Sequence, residues 1–122
     1  MKELLKDVQA RLKMEDTEFN GYLPDTEHTE KILAEEGIEF QPDFKLVFYA
    51  HIVSLVKRLK DDIPLDCGDD CPEDEVEKEA IAVSEKIIIP LVEKYERKLN
   101  RMEIVLAGIQ LQLAMEMQKE NQ

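Results

Sequence analysis

The chain contains two histidines and two cysteines, so any imidazole or thiol chemistry rests on His28, His51, Cys67 and Cys71. The cysteines share the segment Cys67-Gly68-Asp69-Asp70-Cys71-Pro72. Two sulfurs in one loop suit a thiolate metal clip or a redox pair. The Cys-x3-Cys spacing departs from Cys-x2-Cys, however, and no second Cys or His pair completes four ligands. Two reduced loop cysteines with no bound metal is therefore the reading adopted. The carboxylates nearby, Asp61, Asp62, Asp66, Asp69 and Asp70, lack the Asp-x-Asp-x-Asp-Gly order and closing Glu of a calcium loop, and read as a solvated acidic edge. His28 lies in the polar run from Thr26 to Glu30 and reads as a surface histidine. His51 differs, because it interrupts the apolar row Phe44, Phe48, Leu55 and Leu59, where an aliphatic residue would serve a core better. Arg58 returns to nearly the same face two turns later, and long helical side chains lean toward the N-terminus, toward His51. A guanidinium there suits a phosphorylated imidazole, because Arg pairs with phosphate oxygens by charge-assisted hydrogen bonds. The plainer reading of His51 is a boundary histidine with a hydrogen-bond partner. Gly-rich phosphate loops, His-Glu-x-x-His, Gly-x-Ser-x-Gly and paired Glu-x-x-His motifs are all missing, so the expectation is a non-enzyme without a cofactor.

The elements that must position His51 and Arg58 follow from apolar spacing. Leu4, Leu5, Val8 and Leu12 predict a first helix within Met1–Met14. From Glu15 to Pro24 the pattern lapses, with Asn20-Gly21 and Pro24 as turn signals. Asp25 or Thr26 can then cap a short helix ending at Gly37. Pro42 opens a largely buried central helix to about Lys60, with Val47, Ala50 and Ser54 widening its apolar face. Pro72, followed by Glu73-Asp74-Glu75, predicts the next helix start, with one stripe through Val76, Ala80, Val83, Ile87, Leu91 and Tyr95 and a kink at Pro90. Asn100 is the expected stop. Arg101–Glu120 then forms a last helix, with Ile104, Leu106, Ala107, Leu111 and Ala114 inward. These add up to one all-α domain, a compact five-helix bundle over residues 1–122. The stripes break before three heptads accumulate, which disfavours a coiled coil.

Composition narrows the function classes. At 122 residues the chain is long enough for one real core, and its formal net charge of −12 gives no electrostatic reason to approach nucleic acid or anionic lipid. No apolar run approaches the ~18–20 residues of a membrane span, and Lys and Glu interleave the leucines of the N-terminal segment, so the expected location is the cytoplasm.

The segment His51-Ile52-Val53-Ser54-Leu55-Val56-Lys57-Arg58 resembles the first-histidine motif of the PTS regulation domain (PRD). That family is the helical module of sugar-responsive bacterial antiterminators and activators. Glu103 to Leu111 resembles the family's second-histidine helix, with Glu103 matching its acidic start and Gln110 standing where the second histidine would fall. The resemblance is strongest over residues 44–116; the family's Asn-Pro stretch is replaced by the shorter Ile63–Pro72 loop. The resemblance implies a five-helix regulatory domain and a homodimer. It also implies phosphorylation of His51 by the sugar phosphotransferase system, from its phosphocarrier or an enzyme II component. Arg58, Glu103 and Gln110 would then support the phosphate site or its pocket. The alternative is a constitutive helical interaction or scaffold protein without the phosphoswitch. A third is a small metal or thiol-redox protein using Cys67 and Cys71.

Overall fold

The structure, a computed structural model, describes residues 2–63 and 73–120. Among these residues the chain forms six α-helices and no strand, an all-α fold in which five helices are substantial and one is short. The first, α1 (Lys2–Leu12), buries Val8 completely and packs on the central helix. The stretch expected to lapse into turns instead holds the short α2 (Asp16–Asn20). Its only apolar residue is Phe19, too little for a periodic signal, and it is held by burying Phe19 and the following Tyr22 in the core. Gln9 ties it to α1, donating from Nε2 to the Met14 carbonyl at 3.1 Å and to Asp16 Oδ1 at 2.6 Å.

The third helix, α3 (Leu23–Glu36), begins before the expected caps, with Pro24 in its first turn. Asp25 and Thr26 are buried inside it. The Thr26 hydroxyl donates to the Leu23 carbonyl at 2.8 Å, while Asp25 reaches across to the fifth helix. The fourth, α4 (Pro42–Asp61), starts at Pro42 as expected and is central, touching α1, α3 and the last helix. Its buried side carries Phe48, Tyr49, Ala50, Ile52, Val53, Leu55 and Val56. Phe44 and Val47, expected to be inward, are 41% and 39% exposed. Phe40, from the preceding connector, takes the inward place beside Phe48, with ring centroids 4.7 Å apart.

Cys67 and Cys71, the acidic Asp66, Asp69 and Asp70, and the helix start expected at Pro72 lie outside the described residues. A 3-10 turn, Glu73–Glu75, precedes α5 (Lys78–Lys94), so Val76 is buried ahead of the helix, not within it. The helix continues through Pro90, which lies on the exposed side as does Lys86, whose carbonyl loses its helical donor. It stops at Lys94, short of Asn100. Asn100 instead caps α6 (Arg101–Glu120), its Oδ1 accepting the Met102 N–H at 3.0 Å. Ile104, Ala107, Leu111 and Ala114 face inward as expected, but Val105 is fully buried and Leu106 only half-buried.

Four helix ends share one device. Lys13, Gly37, Asp62 and Glu96 adopt φ of 55°, 68°, 56° and 55°. In each case the next N–H reaches back to a carbonyl of the last turn: Met14 to Gln9, Ile38 to Leu33, Ile63 to Arg58 and Arg97 to Val92, at 2.9 to 3.2 Å. Arg97 adds a side-chain cap to α4, donating from Nε to the Leu59 carbonyl at 2.6 Å and from Nη2 to that of Lys60 at 3.2 Å.

Candidate functional site

The site lies where α4 and α6 run side by side in opposite directions. His51 and Arg58 are seven residues apart on α4, and Glu103 and Gln110 are seven apart on α6. His51 pairs with Gln110 and Arg58 with Glu103, two rungs separated by about 10.5 Å along the helix axes. All four residues singled out from the sequence therefore meet on one helix pair.

In the first rung His51 Nδ1 stands 3.0 Å from Gln110 Oε1. Burial holds the imidazole below its usual range. The Glu103 carboxylate pulls the other way, the Arg58 charge adds to the lowering, and the Gln110 hydrogen bond raises it slightly. The ring is thus neutral near pH 7. With a carbonyl oxygen as acceptor, Nδ1 carries the proton and the lone pair sits on Nε2. Nε2 has no hydrogen-bond partner among the described residues and is not sealed from solvent. The ring is oriented by one nitrogen and leaves the other without a partner among the described residues.

The second rung differs from expectation. Arg58 is not turned toward His51: its Nη2 donates to both oxygens of Glu103, at 2.8 and 3.0 Å. The Glu103 side chain is only 8% exposed, so its charge depends on this partner. Arg58 Nε is buried without an acceptor, and Nη1 has none among the described residues. On the α5 side of Arg58 lies a cavity of about 160 Å³ floored by Leu55, Leu59, Ile88 and Val92. On its α1 side lies a wider hollow of about 310 Å³ lined by Leu12, Met14, Ser54, Lys57, Arg58 and Ile63.

His28 is not a simple surface residue. It is half-buried, with Nε2 3.2 Å from the Ile87 carbonyl, one residue from the carbonyl that Pro90 leaves without a donor. Sequence reasoning also missed Asp25, whose carboxylate is 2% exposed. Its Oδ1 accepts from Lys94 Nζ at 2.7 Å and its Oδ2 from the Tyr95 hydroxyl at 2.8 Å, joining the start of α3 to the end of α5. Burial and this hydrogen bond push the Tyr95 hydroxyl well above its usual range. Tyr49 likewise donates to Glu30, with burial as the main cause of its raised pKa. A buried Asp placed three residues after a Tyr leaves no sequence signal, because the partners lie about seventy positions away.

Among the described residues no group of three or more His, Cys, Asp or Glu side chains could hold a metal ion, and no helix is long and apolar enough to cross a membrane. No protein-family model, no curated protein and no solved structure matches this chain.

Proposed function

We propose that the chain is a non-enzymatic, cytoplasmic regulatory domain of PRD type, in which His51 accepts a phosphoryl group from the sugar phosphotransferase system and thereby alters self-association or a partner contact. The observation that carries this reading is the His51 ring itself. Gln110 holds its Nδ1, burial favours the neutral form, and Nε2 is left without a hydrogen-bond partner among the described residues. A neutral, oriented imidazole is the form that attacks phosphorus; a protonated or fully enclosed ring could not. The test is incubation with a reconstituted phosphotransferase relay and labelled phosphoryl donor, followed by mapping of acid-labile phosphate. The expected result is one label on His51, lost in His51→Ala and unaffected in His28→Ala. Label retained in His51→Ala would overturn the assignment.

A second reading, a constitutive helical scaffold, is favoured by the Arg58–Glu103 pair, in which Arg58 turns to a carboxylate of α6 and not toward His51. Under that reading the relay leaves the chain unlabelled.

A further inference from the structure

Ser54, Lys57 and Arg58 form a group that the two rungs do not use. Ser54 lies one turn after His51, and together these three residues supply every polar side chain that the described residues contribute to the α1-side hollow. The buried Thr26, Thr29 and Ser84 each donate a hydroxyl to a backbone carbonyl. The Ser54 hydroxyl has no such partner among the described residues and is not sealed from solvent. Arg58 brings Nη1 without an acceptor, because Glu103 engages only Nη2; its Nε is buried and stays out of the hollow. Lys57 is held at the rim by Glu18 at 3.2 Å, and both side chains remain partly exposed. In a chain of net charge −12, two cations and a free hydroxyl thus line a hollow of about 310 Å³ whose other lining among the described residues is Leu12, Met14 and Ile63.

We infer that this hollow is a binding site for a tetrahedral oxyanion, the phosphate of a phosphomonoester or inorganic phosphate, taken by Ser54 Oγ, Lys57 Nζ and Arg58 Nη1. The chemistry fits in number and kind. A phosphate dianion offers several acceptor oxygens, the guanidinium and ammonium supply charge-assisted donors, and the hydroxyl supplies a neutral one. Glu18 competes for Lys57 from the rim, so the site is weakened by a carboxylate that the ligand must displace. The inference does not depend on whether His51 is phosphorylated.

The test is titration of the full chain with inorganic phosphate, glycerol phosphate and sulfate at constant ionic strength, followed by amide and side-chain NMR shifts. Saturable shifts centred on residues 54, 57 and 58, with a dissociation constant of about a millimolar, are expected for all three oxyanions and not for chloride. Lys57→Met should weaken binding roughly tenfold and Ser54→Ala about threefold. Glu18→Gln should tighten it about threefold by freeing Lys57, a gain that damage to the fold cannot produce. Shifts that fail to saturate, or that are unchanged in Lys57→Met and Ser54→Ala, would overturn the site. If phosphate binds as described while the relay leaves His51 unlabelled, the hollow stands and the phosphoswitch falls; label on His51 without oxyanion binding gives the converse.

Discussion

At the scale of single residues, Arg58 and Glu103 set the terms for any test of the site. Replacing Arg58 by Met removes the partner of a carboxylate that is only 8% exposed, so it destabilises the fold instead of leaving it intact. The expected loss is about 2–3 kcal/mol, below that of a fully enclosed pair because Arg58 itself keeps 24% exposure. The double variant Arg58→Met with Glu103→Met removes both charges and should recover most of that loss in urea unfolding; no recovery would mean that the pair is not the source. His51 gives a second residue-scale prediction. Its folded pKa lies below the unfolded value of 6.5, chiefly through burial, so the unfolded chain takes up the proton first. Stability contributed by the neutral ring is complete above about pH 7.5 and declines as pH falls through 6.5, levelling off only below the folded pKa. The melting-temperature difference between the parent and His51→Asn should therefore be constant above about pH 7.5 and shrink in favour of the variant toward pH 5.5. A difference independent of pH would show the ring to be unperturbed. His51 and Arg58 were legible because seven residues is a helical repeat, whereas Glu103 and Gln110 were drawn in only by the resemblance to the PRD second-histidine helix. Who pairs with whom was not, since a side chain's lean toward the N-terminus cannot compete with a carboxylate supplied by another helix.

At the scale of elements, the left-handed helix ends explain both what could be read and what could not. Gly37 announces its cap, and α3 stops there. Lys13, Asp62 and Glu96 adopt the same backbone without glycine; Asp62 tolerates it and the end of α4 was read to within a residue, but nothing in the type of Lys13 or Glu96 marks the stops of α1 and α5. A non-glycine residue pays a steric cost in that conformation. Glu96→Gly, at an exposed position with only backbone interactions, should therefore raise stability by about 0.5–1 kcal/mol, and Gly37→Ala should lower it by a similar amount. Thermal unfolding of the two variants checks the pair of signs together. The long amphipathic helices were readable because their buried faces repeat. α2 was not, because a single Phe19 carries it, and Asn100 was misread as a stop because a side chain that caps a helix start looks the same in sequence as one that follows a helix end.

At the scale of the whole molecule, the α4 and α6 face that holds His51 and Gln110 continues into exposed apolar surface. Phe44, Val47 and Leu113 are 41%, 39% and 42% exposed and border one depression with Gln110. The homodimer expected from the sequence would use this face, and its dependence on salt separates it from an ion-paired association. Two chains of formal charge −12 repel one another, and that repulsion is screened as the Debye length falls from about 10 Å at 0.1 M salt to about 3 Å at 1 M. Apolar contact is not weakened by salt, so a dimer closed through Phe44, Val47 and Leu113 tightens as salt rises, whereas one closed through ion pairs loosens. Sedimentation at tens of micromolar, near the scale of a micromolar dissociation constant, should show a species of twice 14.2 kDa whose population grows between 0.1 and 0.5 M salt. Val47→Glu with Leu113→Glu should return it to 14.2 kDa at every salt concentration while leaving the melting temperature of the monomer nearly unchanged, because both side chains already face solvent. A single 14.2 kDa species throughout would remove the dimer, and one that dissociates with salt would move its contacts away from the His51 face.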